Sequence, residues 1–189
     1  LYAGTAPWMA GHFREEELFP AVTRTFEELG LAPGRLLLDD SPREAGPFGA
    51  HVATVRVPDE VRLTVRRQGG IPACSELLAA FAEGHLWANA PRSAEVAERR
   101  FPDPATVEGV RILSAGFCLE PGWLKRSLRL PSAAAREAAR LGAFRALGSL
   151  RHAAALLPWS LEVFHRGPTA ALHEEYVEIT GQRISDELA

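Results

Sequence analysis

The chain has 189 residues, of which 47% are hydrophobic and 24% are charged, and its formal net charge is -3. This length suits one folded domain with a substantial core, and the slightly acidic balance excludes the basic surface that nucleic-acid binding requires. No apolar run approaches the roughly 18 residues that span a bilayer, and the first residues lack a signal-peptide pattern. We therefore expect neither nucleic acid nor membrane as a partner.

The first half of the chain predicts a helix followed by a small β element. Apolar residues recur at three- and four-residue spacings from His12 to Gly30, which is typical of an amphipathic helix. The segment from Leu36 to Gly49 is rich in Asp, Pro and Gly and predicts a loop. Two β-like runs follow, His51 to Val57 and Val61 to Arg67, and we expect them to form a hairpin.

The second half predicts a series of helices. Ser75 is the expected N-cap of a helix that ends at Ala88, and another helix is expected to begin near Thr106. The Thr106 helix is apolar around most of its circumference, so we predict that it is central. Four further helices are expected: a short one around Trp123, an alanine-rich one that Pro131-Ser132 opens and Pro158 breaks or kinks, and a final pair over Trp159–His165 and Thr169–Thr180.

These elements predict the fold class. It is mainly α with a small β-hairpin or sheet, an α+β fold. We expect a single domain over residues 1–189, with the N-terminal helix and β element over 12–70 and a helical part over 71–189. The oligomeric state does not follow from the sequence.

The two cysteines, Cys74 and Cys118, lie far apart and do not form a disulfide framework. We therefore expect free, buried thiols and a cytoplasmic location. Cys74 precedes the predicted Ser75 helix, where a helix N-terminus can lower the pKa of a thiol. A nucleophilic role would need a base, and His85 is the candidate in this stretch, so an inert thiol is the favoured interpretation.

Three segments together carry a resemblance to a known family: VRVPDEVRLTVRRQGG and the helix after it, DPATVEG, and LEPGWLKR. They resemble the zinc oligopeptidases of the thimet oligopeptidase and oligoendopeptidase F type, which are gluzincins, over roughly residues 12 to 185. In that family a strand and a Gly-Gly turn lead into a helix with His-Glu-x-x-His, whose histidines bind zinc and whose glutamate activates water. The resemblance implies a metallopeptidase-like helical domain, truncated relative to the family.

The motif itself is degenerate in this chain. Aligned without a gap, Ala79 and Ala80 stand where the resemblance implies the first histidine and the glutamate, and Glu83 stands at the second histidine. Glu108 matches the third zinc ligand. A shifted register that puts His85 at the second histidine restores neither missing residue. Loss of a general base alone typically lowers a rate by about 10² to 10⁴, so the resemblance implies no zinc cofactor and no catalytic residue.

The surviving residues allow other interpretations. Glu83, His85 and Glu108 are a conceivable rebuilt metal site, for zinc or manganese, or the two glutamates could perform acid–base chemistry. Otherwise the glutamates are solvated or paired with Arg66, Arg67 or Arg111. A peptide could also add to the strand edge, as substrates do in the family, with Arg62, Arg66, Gly69 and Gly70 as the binding positions.

Three functions remain as expectations. The first is a pseudoenzyme, a catalytically inactive metallopeptidase-like domain that binds a peptide or protein partner or acts as a scaffold. The second is an enzyme with a rebuilt metal or acid–base site, in which case zinc could be its cofactor. The third is a structural subunit of a larger assembly.

Overall fold

The computed structural model describes residues 11–31, 36–41, 49–167 and 169–180. The chain is mainly helical with one small sheet, which confirms the predicted α+β class. It divides into two compact units, Leu1–Arg140 and Leu141–Ala189. The boundary between the two units lies within a long helix. The boundary that the sequence predicts between the β element and the helical part lies at residue 70, inside the first unit.

Helix α1 spans Glu15–Glu28, within the predicted range. Its apolar face is buried through Leu18, Val22 and Phe26, which is what the helical spacing predicted. Gly30 lies just beyond the helix with φ of 79°, a conformation that glycine adopts without the steric penalty of a Cβ. The predicted stop at this glycine is confirmed.

The β element is a three-stranded mixed sheet rather than an isolated hairpin. Strands β2 (Ala50–Arg56) and β3 (Glu60–Val65) pair antiparallel as predicted, but a further strand, β1 (Leu36–Asp39), pairs parallel with β3. The predicted loop from Leu36 is therefore wrong over those four residues, and its residues 42–48 lie outside the described part of the chain. The strand order is β1-β3-β2, so β3 is central.

Helix α2 spans Ile71–Ala88 and packs on the sheet and on α1. It begins earlier than predicted, and Ser75 is inside it rather than at its cap. The capping residue is Gly70, with φ of 102°, and a proline follows in the first turn, where its missing N–H costs nothing. The helix is buried over most of its circumference, so it is the central element of the first unit.

Helices α3 (Val96–Arg100) and α4 (Pro104–Ala115) follow, and a 3₁₀ turn, Gly116–Leu119, extends α4. Asp103 caps α4 by accepting a hydrogen bond from the amide of Ala105 at 3.0 Å. α4 packs against α2, but the prediction that it is central is wrong. Ser114 is the buried residue of α4, whereas Leu113 is 78% exposed and Ile112 64%.

Helix α5 (Pro121–Leu128) is the predicted short helix, and it packs on α1. The indole N–H of the buried Trp123 donates to the hydroxyl of Thr25 at 3.0 Å. That hydroxyl in turn donates to the carbonyl of Ala21 at 2.8 Å. A buried polar chain of this kind ties the two helices together because each group would be costly to bury alone.

Helix α6 spans Ser132–Arg166 and continues through Pro158, so the predicted break and the separate helix over Trp159–His165 are wrong, while the alternative of a kink at Pro158 stays a prediction. Helix α7 spans Ala170–Thr180, as predicted within one residue. Within the second unit the Trp159 indole donates to the carbonyl of Leu172 at 3.0 Å, and its ring packs on Tyr176. No helix in the described ranges has the length and apolar character needed to cross a bilayer.

Candidate functional site

The positions aligned with the first histidine and the glutamate of the family motif lie in the middle of α2, where neighbouring elements bury the helix. Ala79 and Ala80 are both buried, Ala80 completely. An alanine has no atom that binds a metal or moves a proton, and a longer side chain at the completely buried position 80 would have to displace packed neighbours. The ungapped register therefore places its first ligand and its base inside the packed core.

Glu83 and Glu108 do lie on the same groove, between α2 and α4, but one arginine occupies the space between them. The Arg111 guanidinium forms an ion pair and hydrogen bond with Glu83, and its Nε lies 3.3 Å from an oxygen of Glu108. The pairing of the glutamates with Arg111 is thus confirmed, and neither Arg66 nor Arg67 takes this role in the described contacts. The Arg111 guanidinium therefore bridges the two carboxylates.

We call this space the Arg111 groove. Its volume is about 680 Å³, and it is lined by Glu83, Trp87, Phe101, Pro102, Pro104, Val107, Glu108 and Arg111. The groove is wide open to solvent, and the ring of Phe101 at its edge is 82% exposed. A large exposed aromatic ring beside a groove is typical of a contact surface for a partner molecule.

His85 lies on a different face of α2 and lines a second groove, which we call the His85 groove. Its volume is about 500 Å³. The lining residues come from α1, α2, α3, α4 and the segments beside them: Phe26, Leu29, Leu31, Ala82, His85, Leu86, Trp87, Asn89, Ala90, Pro91, Glu98, Arg99, Pro102, Thr106, Val110 and Ser114. The two grooves share Trp87 and Pro102.

The His85 imidazole is 3% exposed and stacks on Phe26, with ring centroids 5.3 Å apart and planes 18° apart. Burial lowers its pKa from the ordinary value, because a charged imidazole would lose its hydration there. Within the described part of the chain neither ring nitrogen finds a hydrogen-bond partner, and the same holds for the indole nitrogen of Trp87. Sequence reasoning assigned His85 to a metal or a base and missed this orphaned state.

The rebuilt metal site is not formed. Among the described residues, no three His, Cys, Asp or Glu side chains are grouped closely enough to hold a metal ion. The conceivable set Glu83, His85 and Glu108 is split because Glu83 and Glu108 line one groove and His85 lines the other. Helical geometry explains this split, since residues two positions apart point to different faces.

Cys74 and Cys118 are both free and buried, as predicted. Cys74 lies inside α2, not ahead of it. A hydrogen bond with Cys118 and burial raise the pKa of the Cys74 thiol well above its ordinary value. The helix N-terminus therefore does not lower the pKa of Cys74. The surroundings of this thiol favour the interpretation that it is inert.

The predicted peptide-binding strand has no open edge. β3 pairs with β1 on one side and with β2 on the other, so the prediction that a peptide adds to its edge is wrong. On its outer face the exposed Arg62 pairs with Glu60, the Nε lying 3.0 Å from the carboxylate. Arg66 is half-buried, and its amide donates to the carbonyl of Gly49 at 2.9 Å.

The Gly-Gly turn serves packing against the start of the chain. The amide of Gly70 donates to the carbonyl of Phe13 at 2.9 Å. A Cβ on Gly69 would lie 2.7 Å from that same carbonyl oxygen, closer than real Cβ contacts come. Gly69 is therefore explained by close backbone approach and Gly70 by its positive φ of 102°, independently of any ligand.

Comparison with protein-family models, with curated proteins and with solved structures finds no match for this chain. The strand, glycine turn and motif helix occur in the order that the resemblance implies, but that order is a property of the fold alone. Membership of the zinc oligopeptidase family stays a hypothesis.

Proposed function

We propose that this chain is a non-catalytic binding module that holds a peptide or protein segment in the Arg111 groove. The observation that carries the proposal is the state of Glu83 and Glu108, which line an open groove and both form ion pairs with the single guanidinium of Arg111. A groove of about 680 Å³ offers space for side chains of a partner. Its charged groups are already paired, so they orient a partner rather than activate water.

The exposed apolar residues around α4 support the same proposal. Phe101, Ile112 and Leu113 are all more than half exposed, which in water leaves apolar area that a partner would cover favourably. Aromatic side chains such as Phe101 supply a large part of the binding energy where they enter a partner's pocket. We place the module in the cytoplasm, and the two free thiols support this location.

The resemblance to zinc oligopeptidases supports the proposal that this module derives from a peptidase-like domain whose catalytic residues have been replaced. The acid–base alternative requires Arg111 to leave both carboxylates, and no described contact favours that. The assembly alternative uses the same exposed surface, since a fixed subunit would cover it permanently. Size-exclusion chromatography coupled to light scattering distinguishes the two binding modes, because a transient binder elutes alone.

The test is selection of binding peptides from a random displayed library, followed by titration of the best peptides against the variants F101E and V96E. Both variants put a carboxylate at an exposed apolar position, but only Phe101 lines the Arg111 groove. We expect F101E to weaken binding at least tenfold and V96E to leave it within about twofold. Equal effects of the two variants, or cleavage of the peptides that a chelator abolishes, would refute the proposal.

A further inference from the structure

Helix α6 carries a continuous apolar stripe along its part in the second unit. The positions of this stripe follow one another at alternating spacings of four and three residues, and all seven are exposed: Ala143, Leu147, Leu150, Ala154, Leu157, Leu161 and Phe164. Because the helix is continuous over this range, the seven side chains share one face. This is the pattern of a and d positions in a heptad repeat, which is typical of a coiled coil.

The opposite face of α6 packs against α7. His152 and Trp159 lie at the f positions of the same heptads, which point away from the a and d positions. The Trp159 indole donates to the carbonyl of Leu172 at 3.0 Å, and the Nδ1 atom of His152 lies 3.3 Å from the hydroxyl of Tyr176. In the described part of the second unit, α7 is therefore held by the face of α6 that is turned away from the stripe.

The stripe has enough exposed area for a stable interface. Its four leucines and Phe164 are 51% to 84% exposed, and each of them leaves on the order of 100 Å² of apolar surface in water. A patch of about 500 Å² is at the upper end of what monomeric proteins leave exposed. Two such patches packed together bury on the order of 1,000 Å², which is the size that a specific protein–protein interface reaches.

The order of side chains along the stripe fits a second copy that runs in the opposite direction. In an antiparallel pair centred between Ala154 and Leu157, Ala154 faces Leu157 of the second copy, and Leu147 faces its Phe164. A parallel pair would put alanine on alanine at one level and phenylalanine on phenylalanine at another, which leaves a void and then a crowded layer. The stripe is therefore complementary to its own reverse, as a two-fold symmetric interface requires.

The residues beside the stripe allow two copies to approach closely. The g positions along one side hold small, uncharged residues: Ala146, Ala153 and Ser160. They bring no like charges together when two copies meet. We propose that α6 forms an antiparallel two-helix coiled coil with α6 of a second copy of this chain. This interface goes beyond the proposed function, which uses the Arg111 groove.

Sedimentation-velocity ultracentrifugation of the full chain at several concentrations tests the pairing. We expect a species with twice the chain mass of 20.6 kDa. The variants L157E and L113E both replace a strongly exposed leucine, 66% and 78% exposed, but only Leu157 lies on the stripe. L157E should weaken the dimer at least tenfold, because it buries a carboxylate between apolar side chains, whereas L113E should leave it within about twofold. A monomeric wild-type chain, or equal effects of the two variants, would overturn the proposal.

Engineered cysteines test the direction of the pair without disturbing its centre. The double variant L147C with F164C should form disulfide-linked dimers under mild oxidation, because each new thiol faces the other type on the second copy. F164C alone should not cross-link, since the two copies of position 164 lie about 26 Å apart along an antiparallel pair. The wild-type chain, whose Cys74 and Cys118 are buried, is the control. Cross-linking of F164C alone, or none in the double variant, would contradict the proposal.

Discussion

Replacing His85 with phenylalanine should stabilise the folded chain. Both ring nitrogens lie among the described residues without a hydrogen-bond partner, and each such group costs about 1–3 kcal/mol when buried. Phenylalanine removes that cost and keeps the stacking on Phe26, while its extra volume costs about 1–3 kcal/mol where packing is tight. Because the ring borders a groove, we expect a net gain of about 1–3 kcal/mol in the free energy of unfolding.

The gain should grow as the pH falls. Burial lowers the pKa of His85 in the folded state from its ordinary 6.5, so below about pH 6.5 the unfolded chain takes up a proton that the folded chain does not. The contribution of neutral His85 to the free energy of unfolding is therefore fully present above about pH 6.5. It is lost as the pH falls from there toward the lowered pKa of the folded state. H85F has no such group, so this part of the acid sensitivity should disappear.

Urea denaturation at several pH values between 4.5 and 8 measures both effects, on the wild-type chain, on H85F and on H85L. The leucine variant removes the nitrogens without supplying a ring, so it separates the polar cost from the stacking. At neutral pH a gain of 1–3 kcal/mol would raise the melting temperature of H85F by about 2–12 °C for a chain of this size. A destabilised H85F together with unchanged pH dependence would refute the reasoning, since it would mean that the nitrogens are satisfied.

Three smaller predictions follow from other buried contacts. T25V should cost about 1–3 kcal/mol in urea denaturation, because it leaves the buried Trp123 indole without its acceptor; a change below 0.5 kcal/mol would contradict that role. The Cys74 thiol should resist Ellman's reagent in the folded chain, since the hydrogen bond with Cys118 and burial raise its pKa, and rapid labelling of the native protein would show otherwise. G70A should destabilise the chain by about 1–3 kcal/mol in the same denaturation assay because φ at that position is 102°, and wild-type stability would contradict the strain.

The helices that bury a regular apolar stripe could be predicted from the sequence. The α1 helix and the antiparallel pair of strands follow their apolar spacing, because one buried face fixes the period of the pattern. Strand β1 could not be found in this way, since it has four residues and its parallel partner is distant in sequence. The early start of α2 depends on the positive φ of Gly70, which the residue type allows but does not require.

Burial was harder to predict than helicity. The apolar circumference of α4 suggested a central helix, but α2 is the central one and Leu113 of α4 is exposed. The local sequence shows which faces of a helix are apolar, but it does not show what packs against them. The same apolar residues can lie in a core or on a surface that binds a partner. Pro158 shows a related effect, since α6 continues through it although an isolated proline opposes a helix interior.

The candidate site was predicted in part. The pairing of Glu83 with Arg111 follows from charge and was anticipated. The separation of His85 from Glu83 into different grooves was visible in their spacing. The orphaned nitrogens of His85 could not be predicted, because an unmatched buried group is a property of the whole surrounding structure and has no local signature.

The most direct test of the account is the fate of a peptide that the Arg111 groove holds. A peptide selected for binding is incubated with equimolar protein, with and without added zinc, and is examined by mass spectrometry over several days. We predict that the peptide stays intact in both samples while it remains bound. Cleavage that depends on zinc and stops with a chelator would contradict the account, because it would require catalytic groups that Ala79 and Ala80 do not provide.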